Sequence, residues 1–145
     1  MQLCEKTYNM SRILAIDYGT KKCGIAVSDP LRIIAGGLTT VSRAELNDFL
    51  GKYLKEEVVG IIVLGLPYHL DGNPAQLHSE ILAFAKKLKS LFPSVEIAFQ
   101  DETLTSEEAK KIILQSGVKK KKRQDKTLVD KVSAVLILQQ FMGRK

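Results

Sequence analysis

Two periods of apolar residues run along this chain, and their order is informative. Arg12–Asp17 (RILAID) and Cys23–Ser28 (CGIAVS) read as strands, separated by the turn-forming pair Gly19-Thr20. Ile33–Thr40 reads as a third strand, with Asp29-Pro30 marking the bend before it. Connections this short favour an antiparallel meander. Ser42-Arg43-Ala44-Glu45 is a capping-box pattern and predicts a helix through about Glu57. Val58–Leu64 (VVGIIVL) is a continuous apolar run, as expected of a strand buried on both faces. Asn73-Pro74 predicts the start of a helix to about Leu91, with Leu77, Ile81, Leu82, Ala85 and Leu88 at helical spacing. Val95–Phe99 is a fifth strand. Thr105-Ser106-Glu107-Glu108 opens another helix, which Gly117 ends. Lys119–Arg123 is a loop. Leu128–Met142 is the last helix, with Leu128, Val132, Val135, Leu136 and Leu138 on its expected buried side.

Three strands followed by alternating helix and strand predict an α/β fold: one mixed five-stranded sheet, antiparallel at one side and parallel at the other, flanked by helices. No internal repeat or linker interrupts it. Residues 11–142 read as a single domain, preceded by a short leader, 1–10. If the fourth strand pairs beside the first, the chain changes its direction of spread there. Open α/β sheets carry their sites beyond the strands' carboxyl ends at such a point.

That edge is where the acids fall. Asp17 closes the first strand, Asp101 and Glu102 follow the fifth, and Asp130 lies in the first turn of the last helix. Each has an ordinary explanation alone. Asp17 suits a turn, Glu102 a solvated loop, and Asp130 a helix N-terminus, where a negative charge is favoured. Together they would repel one another unless cations neutralise them. Oxygen donors with open positions suit Mg2+ or Mn2+. Two such ions roughly 4 Å apart activate water and stabilise the leaving oxygen of a phosphodiester. Asp17, Glu102 and Asp130 are therefore the expected metal ligands and catalytic residues.

Composition narrows the classes. The 145 residues carry a formal charge of +6, with 45% hydrophobic and 26% charged residues, as in a globular protein able to bury a core without staples. The basic balance, with a pI near 9.3, suits a polyanionic partner. Cys4 and Cys23 form no CxxC pair, which argues against a zinc site or a disulfide framework and fits a reducing compartment. No segment approaches the roughly 18 apolar residues that span a bilayer, and residues 1–10 do not resemble a signal peptide. A cytoplasmic protein with no membrane partner is expected. Cys23 reads as a buried strand residue, and His69 and His78 as surface residues.

Four motifs in order resemble the YqgF family: Ala15-Ile-Asp-Tyr-Gly-Thr-Lys-Lys-Cys-Gly-Ile-Ala-Val-Ser-Asp29, Gly65-Leu-Pro-Tyr-His-Leu-Asp-Gly72, Asp101-Glu-Thr103, and Val129-Asp-Lys-Val-Ser-Ala-Val-Leu-Ile-Leu138. The resemblance runs from Ser11 to Phe141. It implies an RNase H-like fold akin to the RuvC resolvases. It also implies a metal-dependent nuclease that matures the 5′ end of pre-16S ribosomal RNA, resolves branched DNA as a Holliday junction resolvase, or both. The family's acidic positions fall on Asp17, Glu102 and Asp130. Its third motif usually continues Asp-Glu-Arg, whereas this chain has Thr103, which lacks the forked donors that grip a phosphate.

Candidate substrate contacts surround these acids. Gly19, Thr20, Lys21 and Lys22 offer backbone amides and two cations beside Asp17, or simply a hairpin turn with solvated lysines. Asp71-Gly72 reads as a turn. Lys119, Lys120, Lys121, Lys122 and Arg123 are five consecutive cations, a run that is usually disordered and solvated; with Lys126, they could also embrace a nucleic-acid backbone. Thr103 completes the set. Two other functions fit parts of the pattern. Asp-x-Gly-Thr also opens the phosphate hairpin of actin-like and sugar-kinase ATPases, but those close two lobes over a nucleotide. A nucleic-acid-binding module without catalysis is the other. RNA and DNA junctions, and monomer and dimer, stay open on the sequence.

Overall fold

The computed structural model describes residues 11–66, 75–101 and 126–143; at 75–76 and 126–130 only the course of the helix is described. The elements are β1 (Arg12–Tyr18), β2 (Lys22–Ser28), β3 (Ala35–Ser42), α1 (Leu46–Glu56), β4 (Val59–Leu66), α2 (Ala75–Leu91), β5 (Glu96–Asp101) and α3 (Lys126–Gly143). The strands form one sheet in the order β3-β2-β1-β4-β5. β1 pairs antiparallel with β2 and parallel with β4, so the reversal of spread expected from the sequence occurs at β1. The expected helix from Thr105 to Gly117, the loop Lys119–Arg123, the pair Asn73-Pro74 and residues 1–10 lie outside the described residues.

The pleat divides the core in two. Leu14, Ile16 and Tyr18 of β1 join Ile62, Leu64 and Leu66 of β4 in a cluster with Leu46 and Leu50 of α1 and Ile81, Phe84, Ala85 and Leu88 of α2. Ile13 and Ala15, one step out of phase, join Ala26 and Val63 against Ala134, Ile137 and Leu138 of α3. Thus α1 and α2 cover one face and α3 the other. Small residues admit α3 close to the sheet. A methyl group built at Gly37 would lie 2.9 Å from Lys131 Cγ and 3.5 Å from Val135 Cγ2. Among the described residues no helix is long and apolar enough to cross a membrane.

Several boundaries move for identifiable reasons. β3 begins at Ala35, two residues after the expected Ile33. The Asp29 carboxylate accepts hydrogen bonds from the Ile33 and Ile34 amides, both at 2.7 Å, and holds the turn one residue pair longer. Arg32 within that turn has φ 60°, and its guanidinium donates to Ser11 O and Ser11 Oγ at 3.0 and 2.8 Å. Helix α1 starts at Leu46 rather than beside Ser42. Ser42 remains in the sheet opposite Lys22, so the Ser42–Glu45 contacts close a turn ahead of the helix. Leu82, expected on the buried side of α2, is 40% exposed, and Phe84 is buried in its place. On α3, Val132 and Val135 are half-buried, while Ser133, Ala134 and Ile137 are fully buried.

The Asp29 turn makes a pH prediction. Its amide hydrogen bonds, that of Ile34 first, hold the carboxyl below the ordinary 3.8. A depressed folded-state value means the stabilisation is complete above the unfolded value and is lost as pH falls through the folded one. Asp29→Asn, which keeps an acceptor but removes the charge, is expected to lower Tm at neutral pH. The difference should close as the pH drops below 3.8 in parallel thermal melts. A gap that stays constant to the acid limit would contradict this account.

Candidate active site at the carboxyl edge of the sheet

Alternation along β1 decides where Asp17 goes. It continues the Ile13–Ala15 series and so stands on the α3 face, half-buried, one residue from the strand's end. Registered partners in a sheet share a face, so the row through Asp17 follows from the pairing. Asp17 opposes Gly24 of β2, and Gly24 opposes Thr40 of β3. On the other side, Gly65 lies one residue beyond the Ile16–Leu64 pair and is registered with Gln100 of β5. The row therefore reads Thr40, Gly24, Asp17, Gly65, Gln100. In the next row inward, Ala15, Ala26, Val63 and Ala98 all belong to the apolar α3 cluster. The edge thus changes from apolar packing to polar groups within one pleat. The positions registered on either side of Asp17 are glycines, Gly24 and Gly65, and both are buried.

The same register separates the two adjacent acids of the third motif. Asp101 pairs with Leu66 and shares the face of α1 and α2, where it is exposed. It therefore stands on the opposite face from Asp17. Glu102 lies outside the described residues. Asp130 lies within α3, but its side chain is not described. By helical spacing, position 130 precedes the buried stripe of Ser133, Ala134 and Ile137. Among the described residues, which include neither Glu102 nor the Asp130 side chain, no group of three metal-ligating side chains occurs. The one described carboxylate of the set, Asp17, is a hard oxygen donor of the kind a divalent ion takes, and it stands in a polar row.

The candidate substrate contacts are only partly described. Gly19 closes the β1–β2 hairpin, its amide donating to Lys22 O at 3.1 Å. A methyl group there would overlap the Lys22 carbonyl, so the tight turn requires glycine. Thr20, Lys21 and Lys22 are exposed at the tip. Thr103 and Lys119–Arg123 lie outside the described residues, as does the side chain of Lys126. Cys23 is buried as expected. His78 is half-buried on α2 rather than a surface residue, and His69 lies outside the described residues.

Sequence reasoning missed Arg43. Its guanidinium lies over the Tyr18 ring, 4.3 Å from the centroid, and donates through Nε to Gly19 O at 3.0 Å. Nη1 forms a 2.7 Å ion pair with Glu80. Tyr18 in turn stacks on Phe84 at 4.7 Å between centroids. Burial raises the Tyr18 pKa, and the Arg43 charge partly opposes this. Arginine thus ties the hairpin beside Asp17 to α2. Within the Ser42–Glu45 pattern it looked like an ordinary residue of a helix start, since its partners are distant in sequence.

Comparison with known proteins decides the family. The model of the family described as RuvX, Holliday junction resolvase, matches residues 11–144. The chain belongs to the RuvX family. RuvX relatives include a candidate pre-16S rRNA nuclease of Porphyromonas gingivalis, 51% identical over 92% of this chain and 96% of its own. A protein of the same description from Bacteroides fragilis is 46% identical over 94% of this chain and 99% of its own. Among solved structures, T. thermophilus RuvC in complex with Holliday junction substrate is similar with a TM-score of 0.54 and 13% identity. That similarity covers 92% of this chain and 96% of that one. It establishes the RNase H-like fold expected from the sequence. Membership of RuvX assigns the chain to the nucleases.

Proposed function

We propose that this RuvX protein is a divalent-metal-dependent hydrolase that cleaves phosphodiester bonds at the carboxyl edge of its sheet. The observation that carries this reading is Asp17, a carboxylate on the α3 face at the reversal of spread, flanked by glycine positions. Asp17, Glu102 and Asp130 would hold the metal, Mg2+ or Mn2+. Bound there, such an ion would lower the pKa of water and offset the charge developing on the phosphodiester. Glu102 is the acid of the third motif, Asp101-Glu-Thr103, and follows directly in sequence on the last residue of β5. The role of Asp130 rests on its place one turn before the buried stripe of α3.

The remaining parts are positioning groups. Gly24 and Gly65, both buried, put bare backbone beside Asp17 on each neighbouring strand. The hairpin amides and Lys21 and Lys22 would hold an adjoining phosphate. The relatives' descriptions favour precursor ribosomal RNA as substrate; the family description favours a four-way DNA junction. A panel containing precursor 16S RNA, single-stranded RNA and a four-way junction, run with each metal, separates them. Faster cleavage of the precursor at the mature 5′ end is the expected result. Absence of metal-dependent cleavage of every substrate would overturn the proposal.

Thr103 stands where the family usually has arginine. Thr103→Arg is expected to retain activity and to tighten substrate binding by a few-fold, because a guanidinium adds a fork suited to phosphate oxygens. It would also compete with the metal for the carboxylates, a penalty that should fade as magnesium rises. Single-turnover cleavage across a magnesium titration, with affinity measured separately, checks this. A folded variant that stays inactive at saturating metal would show that substrate contact here is built around threonine.

A further inference from the structure

On the opposite face of the sheet, an open cleft of about 720 Å³ lies between α1 and α2, lined by residues including Tyr18, Arg43, Asn47, Glu80, Phe84 and Lys87. We propose that this cleft binds an unpaired nucleotide of the substrate strand, next to the cleavage site. The inference rests on the nuclease reading above and specifies its substrate class: nucleic acid with at least one unpaired nucleotide beside the bond that is cut.

The cleft and the cleavage edge are contiguous. Tyr18 directly follows Asp17 in β1 and projects to the other face. The hairpin between them exposes Thr20, Lys21 and Lys22, and Lys21 O accepts the Arg43 amide at 2.9 Å. A strand leaving Asp17 over this hairpin therefore meets cations all the way to Arg43. The rim continues them with Lys87, which is exposed on α2.

Two of the lining residues carry polar atoms without partners. Among the described residues, Arg43 Nη2 and Asn47 Oδ1 are buried and lack a hydrogen-bond partner. One is a donor and the other an acceptor, and leaving either unmatched is costly. The Watson–Crick edges of adenine, guanine and cytosine each offer both a donor and an acceptor. The Arg43 guanidinium is already held over the Tyr18 ring, and its Nη1 sits 2.7 Å from Glu80 Oε1. That contact is an ion pair whose angles fall short of a hydrogen bond. The Glu80 charge is thereby offset, leaving the lining net cationic through Lys87. Ala44 and Ala83 face the opening with small side chains, and the volume lies within the range of small-ligand pockets, roughly 300 to 1,000 Å³. A paired base has its Watson–Crick edge occupied, so a continuous duplex cannot satisfy these atoms. Unpaired bases recognised on that edge and against arginine planes are a recurrent mode of RNA recognition.

The test uses fluorescence anisotropy in EDTA with a labelled 12-nucleotide single-stranded RNA, its DNA counterpart and a fully paired 12-base-pair duplex. Asn47→Ala removes an unpartnered acceptor, so the fold should lose nothing. It is expected to weaken binding of the single strands about five- to tenfold, the worth of one hydrogen bond, and to leave duplex affinity unchanged. Ala83→Phe, at an exposed position, fills the cleft and should give the same pattern. Thermal melts accompany both variants. Equal affinity of wild type and both folded variants for the single strands would overturn the proposal. Equal losses on duplex, or no single-strand binding by the wild type, would overturn it too. Cleavage by Asp17→Asn is assayed separately. Retained cleavage there sinks the Asp17 reading while the binding comparison still decides the cleft.

Discussion

Asp17→Asn is expected to reduce metal-dependent cleavage by at least about a hundredfold while leaving the fold intact. Even indirect disturbance of a metal ligand costs roughly ten- to a hundredfold, and this change removes a charged ligand outright. The fold should survive because Asp17 is half-buried, one step beyond the apolar row of Ala15, Ala26, Val63 and Ala98. Asparagine has nearly the same shape and keeps one oxygen donor, so the loss would report charge and not volume. Single-turnover rates with manganese and magnesium, beside thermal melts, provide the measurement. A folded Asp17→Asn protein with wild-type rates, purified free of contaminating nuclease, would falsify the site. Asp101→Asn is the matched control. Asp101 is an acid at the same sheet edge but on the opposite face, and its replacement should leave the rate within a few-fold of wild type.

Replacing all five cations of Lys119–Arg123 with glutamine is expected to weaken nucleic-acid binding strongly and to flatten its salt dependence. Each lost phosphate contact lowers the slope of log affinity against log salt by about 0.7 on a single strand and 0.9 on a duplex. A full set of five contacts corresponds to a change of roughly 3.5 to 4.5. Single-turnover cleavage at saturating substrate should persist, because the segment carries none of the three proposed carboxylates. Affinity measured from low to moderate salt tests this. An unchanged slope would return the segment to solvated surface. Comparison with Lys21 and Lys22 variants then separates the hairpin's contribution from that of the basic run.

The sheet was legible because apolar periodicity and turn chemistry act locally. The run Val58–Leu64 predicts a strand covered on both faces, and β4 is an interior strand with Ile62, Val63 and Leu64 fully buried, although Val58 lies outside it and is exposed. Boundaries were less legible where a side chain reached across a turn. The apolar pair Ile33-Ile34 looked like the start of β3, yet both residues are more than two-thirds exposed. Asp29 captures their amides before the sheet does. Similarly, Leu82 and Phe84 both fit an amphipathic α2. Stacking of Phe84 on Tyr18, 66 positions earlier in the chain, belongs to the assembled molecule and leaves no local trace.

By itself, the sequence determined the strand order in time, the apolar faces, the family motifs and the acids at strand ends. These depend on residue type and on short-range spacing, which backbone geometry converts directly into faces and turns. Only the tertiary structure decided that Asp17 and Asp101 point to opposite faces. That distinction needs the register of β1 against β4 and of β4 against β5, because parity within one strand says nothing about its neighbour. It also decided the role of Arg43. Its ring, carbonyl and carboxylate partners come from β1, the hairpin and α2, and meet only when the sheet closes under the helices. Long-range contacts of this kind are set by packing of whole elements, where the local pattern of residues carries no record of the partner.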